Sequence, residues 1–343
     1  MPAPRKYTDD QFLFIYQLVE EGLTTRAACR KGGIPHTTYL RWLEREGKAT
    51  KKEIVLPKFP EEDIEAEKIL DHLEESYEQH AKYREAITWF PIKVKTDKPI
   101  GICWFGDPHL GNPGCNISLL RKDVRIVVST PGLYGANIGD TVDNWGGRLT
   151  RLYAETTMTR TREQKLATWF LKDTNIPWLL WLMGNHEFMD GAFEAHIKAT
   201  NGNVIPMMDW RARFILEFAN KRAIRVDASH DFKGHSMWNE MHALDRAAIT
   251  EGSAADLFVA GHRHTWGLKV RELPDNTVTT LVRVRGYKHI DTFADRHGFV
   301  NQINGSSVVT VLDPHARSPV ELVRAFADVE EGADYLRWKR CDL

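Results

Sequence analysis

Five short motifs carry residue types that bind metal ions, and each follows an apolar run. They are Asp107-Pro-His109, Gly139-Asp140-Thr-Val-Asp143-Asn144, Gly184-Asn185-His186-Glu187, a histidine-bearing stretch from His230 to His242, and Gly261-His262-Arg-His264. Carboxylate, imidazole and amide oxygen without thiolate suit hard to borderline divalent cations, manganese first, with iron or zinc as the other candidates. Side chains two apart on an extended backbone point the same way, so Asp107 and His109 can converge on one ion, as can His262 and His264. Asp140 is the candidate to bridge two ions, because a carboxylate has two oxygens and the charge to offset their repulsion. Asn185 adds a neutral oxygen, and the set supplies two sites with positions left for water and substrate. So many polar groups at strand ends would be costly to bury unpaired.

Neighbouring residues admit plainer readings. Asp143 and Asn144 can brace a loop as easily as bind metal. Glu187 can orient His186 or cap the helix that follows. Arg148, Arg151, Arg263, Arg285 and Lys288 can grip phosphate or remain solvated charges.

These motifs need a frame that holds them together. Short apolar or β-branched runs at 100–105, 133–138, 178–183, 223–228 and 256–260 read as strands, with helical segments at 162–172 and 240–250 before the third and the last. Such alternation predicts a largely parallel sheet with helices on its faces, whose ligands gather outside the carboxyl ends of the strands. Beyond residue 277 the runs 278–285, 306–312 and 320–326 read as antiparallel strands completing a second sheet, and 330–340 as a last helix.

The first 46 residues form a separate helical pattern. Asp9 or Asp10 can cap a helix bearing Phe12, Leu13, Ile15, Tyr16 and Leu18, which Gly22 ends. Thr24 or Thr25 can cap a second helix over 26–31. After Gly33-Ile34-Pro35, Thr37 starts a third, with Tyr39, Leu40, Trp42 and Leu43 inward and Arg41 and Arg45 outward. Three short helices with a Gly-containing turn before the last make a helix-turn-helix pattern. His36, Thr37, Thr38, Arg41 and Arg45 would then face a DNA major groove, with Lys48, Lys51 and Lys52 near phosphates. Residues 51–60 read as a linker. Residues 61–86 read as an acidic helix, ten carboxylates against three basic residues, packing Ile64, Ile69, Leu70, Leu73 and Tyr77 on the next domain. The expected domains are therefore 1–50, a linker and acidic helix over 51–90, a catalytic domain over 91–328, and a terminal helix over 329–343.

Charge is nearly balanced, 46 Lys+Arg against 47 Asp+Glu, so affinity for nucleic acid must come from a local patch. The four cysteines, Cys29, Cys103, Cys115 and Cys341, form no CxxC pair, which argues against a disulfide framework and a thiolate zinc site. No stretch approaches a membrane span and the amino terminus has no apolar signal core, so a soluble, cytoplasmic setting is expected.

The ordered set DxH, GDxxD, GNHE, a lone His and GHxH resembles the calcineurin-like metallophosphoesterase family over about residues 98–312. That resemblance implies a two-sheet α/β sandwich. It also implies one metal held by Asp107, His109, Asp140 and His264, and a second by Asp140, Asn185, the lone His and His262. The lone His is His230 on its position directly after the strand, with His235 or His242 as alternatives. His186 would be the histidine beside the substrate's leaving oxygen, and a metal-bridging hydroxide the nucleophile. Asp107-Pro-His109-Leu110-Gly111 is similar to the DxHLG opening of the family's DNA-repair nuclease branch, which differs in having His where this chain has Asp143. The helix-turn-helix resembles those of recombinases, transposases and phage terminase small subunits, implying a phage or mobile-element origin. The leading expectation is a DNA-directed phosphodiesterase. The alternatives are a phosphomonoesterase or protein phosphatase with the same metals, and a non-enzymatic DNA-binding regulator.

Overall fold

The computed structural model describes residues 6–48, 64–236, 238–250, 254–289 and 307–341. The expected linker, Lys51, Lys52, the first acidic residues at 61–63 and residue 306 of an expected strand lie outside them. Contacts divide the chain into two units, Met1–His72 and Leu73–Leu343.

The first unit holds α1 (Asp9–Glu20), α2 (Thr25–Gly32) and α3 (His36–Arg45). Thr8, not Asp9 or Asp10, stands at the start of α1 and exchanges hydrogen bonds with Gln11 in a capping box. The Thr24 hydroxyl accepts the Ala27 N–H at 3.3 Å and starts α2. Gly33 ends α2 at φ +69°, a left-handed turn that glycine adopts without strain. One core joins the three helices, with Phe12, Ile15, Leu18, Ala28, Cys29, Ile34, Tyr39 and Trp42 buried. Phe12 stacks on Trp42 at 5.2 Å between ring centroids. Leu40, expected inward, is 40% exposed, as is Leu13, because the helical period leaves them flanking the buried stripe. Helix α3 begins at His36, one residue earlier than expected.

Helix α4 (Ala66–Ile87) follows. Its residues Ile69, Leu70, Leu73 and Tyr77, together with Ile64 before it, are exposed.

The second unit is two six-stranded sheets face to face, flanked by helices, an α/β sandwich. Its elements run β1 (Phe90–Val94), β2 (Ile100–Phe105), α5 (Ile117–Ser129), β3 (Leu133–Asn137), α6 (Arg160–Thr168), β4 (Trp178–Met183), α7 (Gly191–Asn201), β5 (Met207–Asp209), β6 (Arg211–Phe218), β7 (Ala223–Ser229), α8 (His242–Thr250), β8 (Leu257–Ala260), β9 (Gly267–Glu272), β10 (Val278–Arg283), β11 (Val308–Leu312), α9 (Pro319–Leu322), β12 (Val323–Phe326) and α10 (Val329–Cys341). One sheet has the order β12-β11-β2-β3-β4-β5 and the other β1-β6-β7-β8-β10-β9. Strands β2 to β5 are mutually parallel, as are β7, β8 and β10.

The expectation that the last three strands complete one antiparallel sheet is corrected. β10 joins the second sheet parallel to β8, whereas β11 and β12 extend the first sheet antiparallel to β2. The second sheet also contains β6, which pairs antiparallel with β7. Its alternating burial, with Ala212, Phe214, Leu216 and Phe218 inward, marks a half-exposed strand that an all-apolar reading passes over.

Between the sheets, Ile102, Trp104, Ile138, Leu180 and Leu182 meet Phe214, Leu216, Val226, Leu257, Val259 and Val282. On the outer face of the first sheet, Cys103, Phe105, Trp181 and Met183 pack on α5, α6, α7 and α10. Leu244, Ala247 and Ala248 of α8 cover Phe258 and Leu281 of the second. With both faces covered, the carboxyl ends of β2, β3, β4, β7 and β8 are fixed points on which loops can hold polar groups. Among the described residues no helix is long and apolar enough to cross a membrane.

Candidate metal centre

Each motif leaves a strand end and turns sharply. Asp107, His109, Asp140, His262 and His264 all have positive φ, between +35° and +68°. Non-glycine residues adopt this region at an energetic cost, and such strain collects at functional sites. The motif glycines give room for the turns. A Cβ on Gly139, at φ +106°, would stand 2.6 Å from the Gly184 nitrogen and 2.7 Å from His230 Nδ1. One on Gly184 would strike the Asp140 carboxylate.

Five strand ends thus bring seven expected residues together. His109 Nε2 lies 3.2 Å from His264 Nε2, and His264 Nε2 lies 3.4 Å from Asp107 Oδ2. On the other flank His230 Nε2 is 3.0 Å from Asn185 Oδ1, 3.1 Å from His262 Nδ1 and 3.4 Å from Asp140 Oδ2. Donor atoms of Asp140, His230 and His262 all fall within 4.8 Å of one another. Of the alternatives for the lone histidine, His235 is half exposed beside Asp231 at 3.7 Å, and His242 is exposed at the start of α8.

The donor set fits cations. Both carboxylate oxygens of Asp107 are buried with no hydrogen-bond partner among the described residues, a costly state unless a positive charge sits against them. Burial pushes the Asp107 carboxyl well above its ordinary range. Imidazole nitrogens face each other at 3.1–3.2 Å in two pairs, close enough to share either a proton or a cation. Burial lowers the His109 and His262 titrations, the latter to about 4, and that of His264 well below its ordinary value, so all three rings are neutral at neutral pH. Asp140 is buried, which alone would raise it, but His230 and His186 hold it lower. His230 is pulled the opposite way by Asp140 and Asp107 against its own burial, to about 10, so a cation would have to displace the proton from its Nε2.

A hydrogen-bonded frame orients these donors. Asp143 Oδ1 lies 2.9 Å from His109 Nδ1, and Asp143 Oδ2 accepts the Asn112 amide at 2.7 Å. The carboxylate therefore keeps the proton on Nδ1 and leaves Nε2 as the free lone pair. His230 Nδ1 donates to the Ile138 carbonyl at 2.8 Å, with the same effect. His109, Asp143 and His186 also bring donors within 4.8 Å of one another. Asp143 there already serves His109 and Asn112, and His186 Nδ1 donates to the Asp143 carbonyl, so this trio is a brace. His186 also donates its backbone N–H to Asp140 Oδ1 at 2.9 Å, and its Nε2 lies 3.9 Å from Asp140 Oδ2.

Further residues complete the frame, of which the sequence pointed to Glu187 and Asn144 but not to the two tryptophans. The Glu187 carboxylate accepts three backbone N–H groups, from Asp140 at 2.9 Å and from Thr141 and Gly184 at 2.8 Å, tying the β3 and β4 loops together. It caps no helix. Asn144 donates to the His186 carbonyl at 2.7 Å. Trp145 packs edge-on against His186, and Trp210 against His230. Of the expected phosphate-gripping cations, Lys288 is buried over the Trp145 ring and Arg285 is buried. Arg263 pairs with Asp231 at 3.4 Å, and Arg148 and Arg151 are exposed.

No protein-family model and no curated protein matches the sequence. Among solved structures it is similar to the NAD nucleotidase of Haemophilus influenzae, at 10% identity and TM-score 0.36 over 66% of this chain and 49% of that one. It is also similar to a 5'-nucleotidase precursor from Thermus thermophilus, at 10% identity and TM-score 0.35 over 71% and 58%. GAP50, the anchor in the inner membrane complex of Plasmodium, matches at 9% identity and TM-score 0.32 over 71% and 95%. The chain spans about half the length of the two nucleotidases, 49% and 58%. Likenesses this remote leave the activity to be read from the chain's own residues.

Proposed function

We propose that the chain is a dinuclear-metal-dependent phosphoester hydrolase directed at DNA phosphodiesters. The observation that carries this is the buried Asp107 carboxylate, both oxygens without a hydrogen-bond partner among the described residues, in the midst of facing imidazole nitrogens. Asp107, His109, Asp140 and His264 would hold one divalent cation, manganese being the first candidate. Asp140, Asn185, His230 and His262 would hold the other. Such a pair neutralises phosphate oxygens and acidifies a water for in-line attack. His186 spends its Nδ1 hydrogen on the Asp143 carbonyl, so Nε2 is the atom left to serve the leaving oxygen. Asp143, Asn112, Glu187 and Ile138 keep the donors in register.

DNA enters the proposal through the first unit. Thr37, Arg41 and Arg45 are exposed on α3, and His36 and Thr38 are half-buried on its first turn, where a recognition helix presents side chains to base edges. Arg45 stands 3.1 Å from Glu46 and 3.7 Å from Asp9, partners it would exchange for a phosphate.

The test is a side-by-side assay with manganese, with and without chelator, of single- and double-stranded DNA, bis(p-nitrophenyl) phosphate and p-nitrophenyl phosphate. Chelator-sensitive cleavage of DNA and the bis-ester above the monoester is the expected outcome. Preference for the monoester would leave a phosphomonoesterase, and no hydrolysis with intact DNA binding a regulator.

A further inference from the structure

Trp210 stands at the junction of β5 and β6, where the chain leaves one sheet for the other. Its backbone lies at φ +63°, a conformation that any residue with a Cβ disfavours. Hydrogen bonds from both its backbone and its ring hold it there. Its N–H donates to the Met183 carbonyl at 3.1 Å, its carbonyl accepts the His230 N–H at 2.7 Å, and its indole N–H donates to the Asp231 carbonyl at 3.1 Å. The ring centroid is 4.9 Å from that of His230 and 6.4 Å from that of His262. Yet 38% of the residue is exposed.

Trp145 on the opposite flank shows what a purely structural indole looks like at this centre. It packs on His186 at 5.0 Å, is only 9% exposed, and is covered by Lys288, whose Nζ is 5.9 Å from the ring centroid. Support for an imidazole needs no exposed surface. A rigid, partly open indole beside a phosphate-binding centre has the properties of a stacking platform, since every base offers a π-face.

We infer that Trp210 stacks on an unpaired nucleobase attached to the scissile phosphate, so that the substrate is single-stranded or a frayed nucleic-acid end. A base within duplex is already stacked on both faces and would have to leave the helix to reach the indole. This rests on the proposed hydrolase reading and narrows its substrate.

The experiment compares two esters with one leaving group, thymidine 5'-(p-nitrophenyl phosphate) and methyl p-nitrophenyl phosphate, on the full chain with manganese. Wild type is set against Trp210→Leu, apolar without a ring, and Trp210→Phe. The wild-type KM preference for the nucleoside ester should fall about 5- to 150-fold in the Leu variant, the range one stacked base contributes, and stay within about threefold in the Phe variant. In parallel, fluorescence anisotropy with a labelled methylphosphonate-linked tetrathymidylate is read in chelator. That probe is uncharged and uncleavable, so it reports on stacking alone, and the same ranking should appear. Equal preference and equal probe binding in wild type and the Leu variant would overturn the inference. Loss in the Phe variant as large as in the Leu variant would do the same, assigning Trp210 to support of His230. If wild type hydrolyses neither ester, the hydrolase reading fails while the anisotropy still decides on stacking.

Discussion

Glu187→Gln tests whether the centre is held by a single carboxylate behind it. The side chain is fully buried, one oxygen accepts the Thr141 N–H and the other accepts those of Asp140 and Gly184. An amide has one acceptor oxygen, so in either orientation its NH2 faces at least one backbone N–H. Loss of a charge-assisted bond costs about 1.5–3 kcal/mol, and a stranded buried donor about 1–3 kcal/mol more. Relief of repulsion with Asp107, whose carboxyl Glu187 helps to raise, offsets roughly 1 kcal/mol of this. The net loss is about 3 kcal/mol, a fall in Tm of roughly 6–12 °C for a unit of this size. With the amide oxygen kept towards Asp140 and Gly184, the Thr141 N–H beside Asp140 is stranded, and the loosened loop should weaken manganese binding about tenfold. Scanning calorimetry in chelator and isothermal titration with manganese measure the two effects. A Tm within about 2 °C of wild type with unchanged metal affinity would refute the clamp, by the same scaling.

Other outcomes follow from the same frame. Asp140→Asn should bind neither ion tightly and lose hydrolysis while circular dichroism shows the fold retained; near-normal turnover would remove the bridging assignment. Asp143→Asn takes the carboxylate from His109 Nδ1, and manganese affinity should drop about 10- to 100-fold with little change in Tm, whereas unchanged affinity would make Asp143 a loop brace only. Glu163 is buried under the Tyr153 hydroxyl at 2.5 Å, and burial raises its carboxyl from 4.5 to about 7 against that hydrogen bond. The folded chain therefore keeps a proton that the unfolded chain releases, and this stabilisation, complete below about 4.5, is lost as pH rises through about 7. Glu163→Gln should gain on wild type by about 3 kcal/mol between about pH 4 and 8, in urea unfolding, and parallel pH profiles would contradict the burial argument. Arg41→Ala should weaken duplex binding by the full chain and reduce its salt slope by about 1, and salt-independent binding in wild type would remove α3 as a DNA reader.

The candidate site was legible in the residues because its motifs are local. Asp107 and His109, or His262 and His264, sit two apart after apolar runs, and a chain that ends buried strands in carboxylates and imidazoles has few reasons to do so other than an ion. Helix α3 was legible from Gly33-Ile34-Pro35 and the buried Tyr39 and Trp42, again within a few residues. What the sequence could not show is long-range. Whether β10 joins β8, and whether β11 joins β2, depends on strand edges set by chain distant in sequence. The alternating β6 gave a weaker signal than the all-apolar strands. Only in the folded state do β2, β3, β4, β7 and β8 end at one place, so that the orphaned Asp107 oxygens and the facing imidazoles come into being. The same holds for Glu187, Asp143 and Trp210. Glu187 and Asp143 take their roles from the backbone N–H groups and the ring that packing buries against them, and Trp210, 38% exposed, takes its place only where the chain passes from β5 to β6.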